Sequence, residues 1–478
     1  MIDPGEKIKS YLSALFGEKN LSSFIDFINA KPFQYLRVNP LKTTPEILSK
    51  QLFERYGIET EKISEIPFAL KVIQGDEIAG KTLEHILGLY YIQGLSSMIP
   101  ALILAPDENN IVLDLCAAPG SKTTQLGEMM KNKGTLISNE IQLSRLKALV
   151  HNIERMNIVN AGVLHRKGEL LSKVYENYFD KILVDAPCSG LGIIQKKDEV
   201  IKWWDENKVT VLADLQLRLL IAAIKMLKVG GEIVYSTCTL TAEENELIIN
   251  KVLTKYPVEL KEIEIPVINH KGLTSIKEAS LNPDLIKGKR IFPWETGTDG
   301  FFIAKIKKVD ATKSPEEISF SKKDIRFLNY NHKDLFNRIK KLVDHFSINI
   351  ESFANYKFLI KGIDIFFVAE NWNDYNTGIF ERIGLKFGTI DKNGEIALNT
   401  QAAQLFGNEI KNSVIEFQSQ EELKIYMEGG IIKTGSFKEG QHIVKFDGNV
   451  LGTAVVTQAG IKSRFPRSKR TQEIFTDF

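Results

Sequence analysis

Ile111-Val112-Leu113-Asp114-Leu115-Cys116-Ala117-Ala118-Pro119-Gly120-Ser121-Lys122-Thr123-Thr124 decides how this chain folds. The first six residues, apolar but for Asp114, form a run of strand length, buried on both faces. A turn of small residues follows, and helical spacing begins at Ser121. Strand, tight turn and helix in that order open a parallel α/β sheet. The small residues let a ligand approach the backbone closely. The start of the helix offers unpaired N–H groups to an anionic group.

Outward from this point the alternation continues. Thr135 to Ser138, Ala161 to Leu164, Lys181 to Val184 and Glu232 to Ser236 read as further strands. Leu143 to Met156 and Val209 to Leu227 read as helices, and Phe301 to Ile306 as a late strand. Strands separated by helices imply right-handed crossovers and a ligand at the carboxyl ends of the strands. Glu140 closes the second strand, where an acid accepts hydrogen bonds from ribose hydroxyls. A G-x-G-x-x-G pattern is absent. Gly120-Ser121-Lys122-Thr123 looks like the tail of a phosphate-binding loop, but Cys116 stands where its first glycine belongs.

The chain has 478 residues, enough for about three domains. Its 43% hydrophobic and 26% charged content is that of an ordinary soluble protein. No run reaches the roughly 18 apolar residues of a membrane span, and MIDPGEKIKS has no secretory core, so a cytoplasmic location is expected. A net charge of +2 does not announce nucleic-acid binding, so any such surface must be local. The three cysteines show neither disulfide nor metal spacing, and no metal is expected. Each follows a strand run: Cys116, then Cys188 in Asp185-Ala186-Pro187-Cys188-Ser189-Gly190, then Cys238 in Ser236-Thr237-Cys238-Thr239. A lone cysteine is usually a small buried hydrophobe. Two thiols ending adjacent strands at one cofactor cleft point instead to covalent catalysis.

Taken in order, Cys116 to Thr123, Asp185 to Gly190 and Ser236 to Thr239 resemble the NOL1/NOP2/sun family of RNA cytosine-C5 methyltransferases. The resemblance extends to Leu36–Lys42, Tyr90–Met98 and Thr298–Ala304. It implies a Rossmann-like class I methyltransferase sheet and S-adenosylmethionine as cofactor. It further implies Cys238 as nucleophile, Cys188 as the residue assisting product release, and Asp185 and Lys122 as catalytic neighbours. Cofactor contacts are expected from Cys116, Ala117, Ala118, Pro119, Gly120, Ser121, Lys122, Glu140 and Asp185. A thiolate adding to C6 of cytosine makes C5 enamine-like, able to accept a methyl; positive charge from Lys122 would favour the thiolate. Asp185 would stabilise the protonated base edge.

Two departures stand out. Lys167 occupies the position where the family carries an acid toward the adenine, and a lysine cannot accept that hydrogen bond. Backbone groups or Glu169 are the substitutes. Pro293-Trp294 replaces a Pro-His.

The organisation expected is an α+β N-terminal domain over 1–105, the methyltransferase domain over 106–308, a linker from Lys307 to Glu317, a first C-terminal domain over 318–425, and a β-rich domain over 426–478. The last, with an Asp447-Gly448 hairpin turn, resembles PUA-like RNA-binding domains. Lys462, Arg464, Arg467, Lys469 and Arg470, with Phe465 among them, are candidate RNA contacts, and Arg37 and Lys42 a second surface. The expected partner is RNA, first 16S rRNA or the 30S subunit, bound by a monomer. The same chemistry on tRNA, and an RNA-binding assembly factor with an idle site, are the alternatives.

Overall fold

The computed structural model describes residues 2–276, 278–313, 325–433 and 437–470. Residues 314–317 of the expected linker, the segment 318–324 and the tail 471–478 lie outside them.

The quoted stretch forms the strand Ile111–Asp114 and the helix Ser121–Met129. It sits at the middle of a ten-stranded sheet. On one side follow Thr135–Asn139 and Ala161–Leu164, both parallel. On the other side lie Phe179–Asp185 and Leu227–Thr237, also parallel. The late strand, Phe301–Lys308, runs antiparallel beside Leu227–Thr237. The direction of winding reverses between Ile111–Asp114 and Phe179–Asp185. That switch point leaves a crevice beyond the carboxyl ends of those strands. Helices Leu143–Met156 and Glu206–Met226 cover the faces, and Leu113, Ile137, Ile182 and Ile233 are fully buried between layers.

N-terminal to this sheet, four antiparallel strands form a second one, ordered Glu59–Lys62, Ala69–Gln74, Tyr35–Val38, Tyr90–Ile92. The helix Pro45–Tyr56 follows sequence rules at both ends. Thr44 caps it, Pro45 takes the first position, and Gly57 closes it at φ 65°. Helices Gly5–Phe16 and Glu18–Asn29 pack through Leu12 and Phe24 with Trp204, Leu240 and Phe292 of the central unit. Trp294 is absorbed here, its ring stacked on Phe292 at 4.7 Å.

C-terminal to the central sheet are a four-stranded antiparallel sheet (Tyr356–Lys361, Asp364–Ala369, Leu385–Ile390, Ile396–Leu398) and a five-stranded one. The five-stranded sheet contains the Gly440–Phe446 and Asn449–Thr457 hairpin and also Val414–Phe417, which lies before residue 426. A short strand, Arg382–Ile383, pairs antiparallel with Ala161–Leu164 and so extends the central sheet from the C-terminal part. Among the described residues no helix is long and apolar enough to cross a membrane.

Candidate active site

The loop from Cys116 to Gly120 turns the chain from strand to helix over the crevice. Gly120 has φ 108°, and a Cβ there would lie 3.1 Å from Leu149 Cδ1, so the helix Leu143–Met156 can pack tightly under the loop. Thr123 Oγ1 donates to Asp114 Oδ2 at 2.7 Å, while Asp114 Oδ1 is buried without a partner. Burial pushes the Asp114 carboxyl up to about 7.

A cavity of about 560 Å³ opens at the strand ends. Cys116, Ala118, Glu140, Asp185, Cys188 and Cys238 all line it. Glu140 is 3% exposed; its Oε1 accepts from Gln142 N at 2.7 Å, and Arg145 lies 3.7 Å from its other oxygen. This donor and acceptor set fits the group the sequence implies. Small residues would admit a nucleoside against the backbone, and the buried Glu140 carboxylate would accept from its ribose. Lys167 is exposed and does not line the cavity, whereas Gly168 and Glu169 do.

Lys122 extends from the first helical turn. Its Nζ bonds Asp185 Oδ2 at 2.8 Å and donates to Ser97 Oγ at 2.8 Å. Asp185 Oδ1 accepts from Ser236 Oγ at 2.7 Å. Both oxygens of Asp185 are thereby oriented at the end of its strand, with Ser236 its direct register partner. That register also brings the two later cysteines together: Cys188 Sγ and Cys238 Sγ are 3.2 Å apart. The neighbouring Cys238 thiol, then burial, push the Cys188 thiol up. Burial, reinforced by Asp114, Asp185 and Glu140, pushes the Cys116 thiol up.

Beneath the thiols lies a polar network that the sequence reading missed. Glu244, fully buried, accepts from Ser189 N at 2.8 Å, from Ser189 Oγ, from Thr241 Oγ1 at 2.6 Å and from Gln216 Nε2 at 2.8 Å. Gln216 also donates to Pro187 O at 2.8 Å, and Ser189 Oγ lies 2.8 Å from Thr239 Oγ1. The neighbours of Cys188 and of Cys238 are thus tied to one carboxylate. Burial raises the pKa of Glu244 against the pull of its donors. Nothing local in Glu243-Glu244-Asn245-Glu246 marks this role, because most of the donors that meet Glu244 come from separate turns and helices.

Several expected RNA contacts are corrected by their surroundings. Arg37 is fully buried and clasps both oxygens of Glu128, at 3.0 and 2.9 Å. Lys42 Nζ is consumed by Leu87 O, Arg155 O and Asn157 Oδ1. Neither reaches a phosphate, so the second surface is not built from them. In the C-terminal run Lys469 is 3% exposed and Phe465 1%, and Arg470 donates twice to Phe465 O. Only Lys462, Arg464 and Arg467 of the five are exposed. The alternation of the strand Gly460–Ser463 and the turn after it decides which side chains face inward.

A parallel sheet with its reversed last strand, a buried acid after the second strand and a small-residue loop over the crevice define a class I S-adenosylmethionine-dependent methyltransferase. The family described as 16S rRNA methyltransferase RsmB/F matches residues 101–307. The chain is 32% identical over 480 residues to ribosomal RNA small subunit methyltransferase F (RsmF) of Vibrio campbellii, covering 97% of this chain and 96% of that one. This chain belongs to the RsmB/F family of methyltransferases. It is also 36% identical over 296 residues to human 28S rRNA (cytosine(4447)-C(5))-methyltransferase, covering 60% of this chain and 36% of that one. Among solved structures, a methyltransferase homolog from Pyrococcus horikoshii aligns with a TM-score of 0.56 at 32% identity, covering 63% of this chain and 93% of that one.

Proposed function

We propose that this chain methylates C5 of a cytosine in 16S rRNA of the small ribosomal subunit, through a covalent bond between Cys238 Sγ and C6 of the base. The observation that carries this is the 3.2 Å approach of the Cys188 and Cys238 thiols on the wall of the cavity that Glu140 and the Cys116 loop also line. The names of the Vibrio and human relatives support the substrate class and the carbon atom.

S-adenosylmethionine, when bound, supplies a methyl group on a cationic sulfur. Residues Cys116 to Lys122 would hold it through backbone groups and Glu140 through its ribose, with Asp185 at the junction of cofactor and base. Cys238, as a thiolate, adds to C6, and the displaced electron pair is drawn toward N3, where a proton is taken up. Asp185, fixed by Lys122 and Ser236, accepts from that protonated edge. C5, now enamine-like, is the carbon that would attack the methyl, the methyl–sulfur bond breaking to leave a neutral thioether. Loss of the C5 proton to water would then restore the C5–C6 double bond and expel the Cys238 thiolate, a release that Cys188 would assist.

The layout proposed is an N-terminal domain over 1–105, the catalytic domain over 106–308 and two C-terminal domains. The second of these is PUA-like, and its start is moved from residue 426 back to include Val414–Phe417. Its exposed Lys462, Arg464 and Arg467 are the proposed phosphate contacts.

The test supplies labelled methyl donor with 30S particles, naked 16S rRNA or tRNA. Label in the 30S particle or 16S rRNA supports the proposal, label in tRNA alone moves the substrate, and label nowhere removes the activity. Cys188→Ala should accumulate a covalent protein–RNA adduct. Cys238→Ala should give neither adduct nor product, and methylation by that variant would reassign the nucleophile.

A further inference from the structure

A second cavity, about 590 Å³, lies beside the first. Pro32, Phe33 and Tyr35 of the N-terminal part form one side, Ile193, Lys196 and Lys197 the other, and Asp299 lies among them. Ile193 and Lys197 line both cavities. The Cys116–Gly120 loop separates them: Cys116 and Ala118 face the cofactor side, Pro119 the second cavity. Lys122 spans the divide, bonding Ser97 of the second cavity and Asp185 of the first.

The lining has the chemistry of a nucleotide seat. Phe33 is 46% exposed, an aromatic ring offered to solvent with Lys71 Nζ 3.6 Å from its centroid. Lys196 and Lys197 are exposed at the opposite lip. The Asp299 carboxylate, only 9% exposed, is held by Lys196 Nζ at 2.8 and 3.0 Å. It presses on Gly94, where a Cβ would stand 2.2 Å from Asp299 Oδ2, so no other residue type leaves room for it. An ionised carboxylate only accepts hydrogen bonds, so it favours a base edge carrying N–H groups. Aromatic stacking combined with cations along the backbone is how unstacked single strands are held.

We propose that this cavity seats the nucleotide adjacent to the target cytosine, its base over Phe33, its phosphate at Lys196 and Lys197, and an N–H of its edge toward Asp299. The inference rests on the RNA-methyltransferase reading for which base is the target. A base drawn out of the stack to reach Cys238 leaves its neighbour without a stacking partner, and Phe33 supplies one.

The test uses labelled hexaribonucleotides with one cytosine among uridines, each neighbour of the cytosine replaced in turn by an abasic residue. Fluorescence anisotropy measures binding to the wild type, Phe33→Ala and Phe33→Trp. For the wild type, abasic replacement at one neighbour should weaken binding about ten-fold. Phe33→Ala should bind the intact hexamer correspondingly more weakly and lose little further on abasic replacement. Phe33→Trp should restore the dependence. Equal abasic penalties in wild type and Phe33→Ala, or none in either, would overturn the subsite. Methyl transfer to the same hexamers and to 30S particles is scored separately. Coupling at Phe33 without transfer to any RNA would fail the methyltransferase reading and leave a nucleotide seat standing.

Discussion

The carboxylate of Glu244 receives both the backbone N–H and the hydroxyl of Ser189, the residue after Cys188. Because Ser189 also reaches Thr239, the residue after Cys238, this one buried acid fixes both thiol-bearing turns. The spacing of the two sulfurs is therefore a property of a network and not of either turn alone.

Removing that acid leaves several buried donors without an acceptor, each costing about 1–3 kcal/mol. Glu244→Ala should lower the unfolding midpoint by several degrees, read by calorimetry. Glu244→Gln keeps an acceptor and should cost less. If the network positions the thiols, Glu244→Gln should lower kcat more than it raises KM for RNA. Equal stability of Glu244→Ala and wild type would show the network to be idle.

Glu140 tests the cofactor side. A buried carboxylate that accepts from ribose hydroxyls contributes charge-assisted hydrogen bonds of about 1.5–3 kcal/mol. Glu140→Ala should weaken S-adenosylmethionine binding about ten- to hundred-fold in calorimetric titration. Lys167→Ala, outside the cavity, should leave that affinity within about two-fold.

Asp114 gives a pH signature. Its folded-state pKa is raised from 3.8 to about 7 by burial. The folded protein therefore holds this proton more tightly than the unfolded chain. The contribution is fully present below about pH 4 and is lost as pH rises through about 7, a few kcal/mol in all. Urea unfolding at pH 5 and pH 8 should show a smaller loss of stability with rising pH for Asp114→Asn than for wild type. Parallel profiles would refute the assignment.

The exposed cations of the C-terminal sheet predict a salt effect. Neutralising Lys462, Arg464 and Arg467 together should weaken RNA binding and flatten the log–log salt dependence, by about 0.7–0.9 for each phosphate contact removed. Lys469→Ala should leave the slope unchanged and lower stability instead, since its side chain is buried.

Local pattern alone determined the central architecture. Strand and helix periodicities placed the helix Leu143–Met156 and the strand Ala161–Leu164 at the boundaries observed, because burial on a regular element leaves its period in the residue types. The two later cysteine motifs were legible for the same reason, each sitting at a strand end. Tertiary structure alone decided which charges are free. Arg37, Lys42 and Lys469 read as surface cations, yet Arg37 and Lys469 are buried and the half-buried Lys42 has its ammonium taken up by carbonyls, all with partners supplied from distant segments. Glu244, which no sequence pattern singled out, is fully enclosed. Whether a polar side chain meets water or a partner depends on residues brought near only by the fold, and no local period records that.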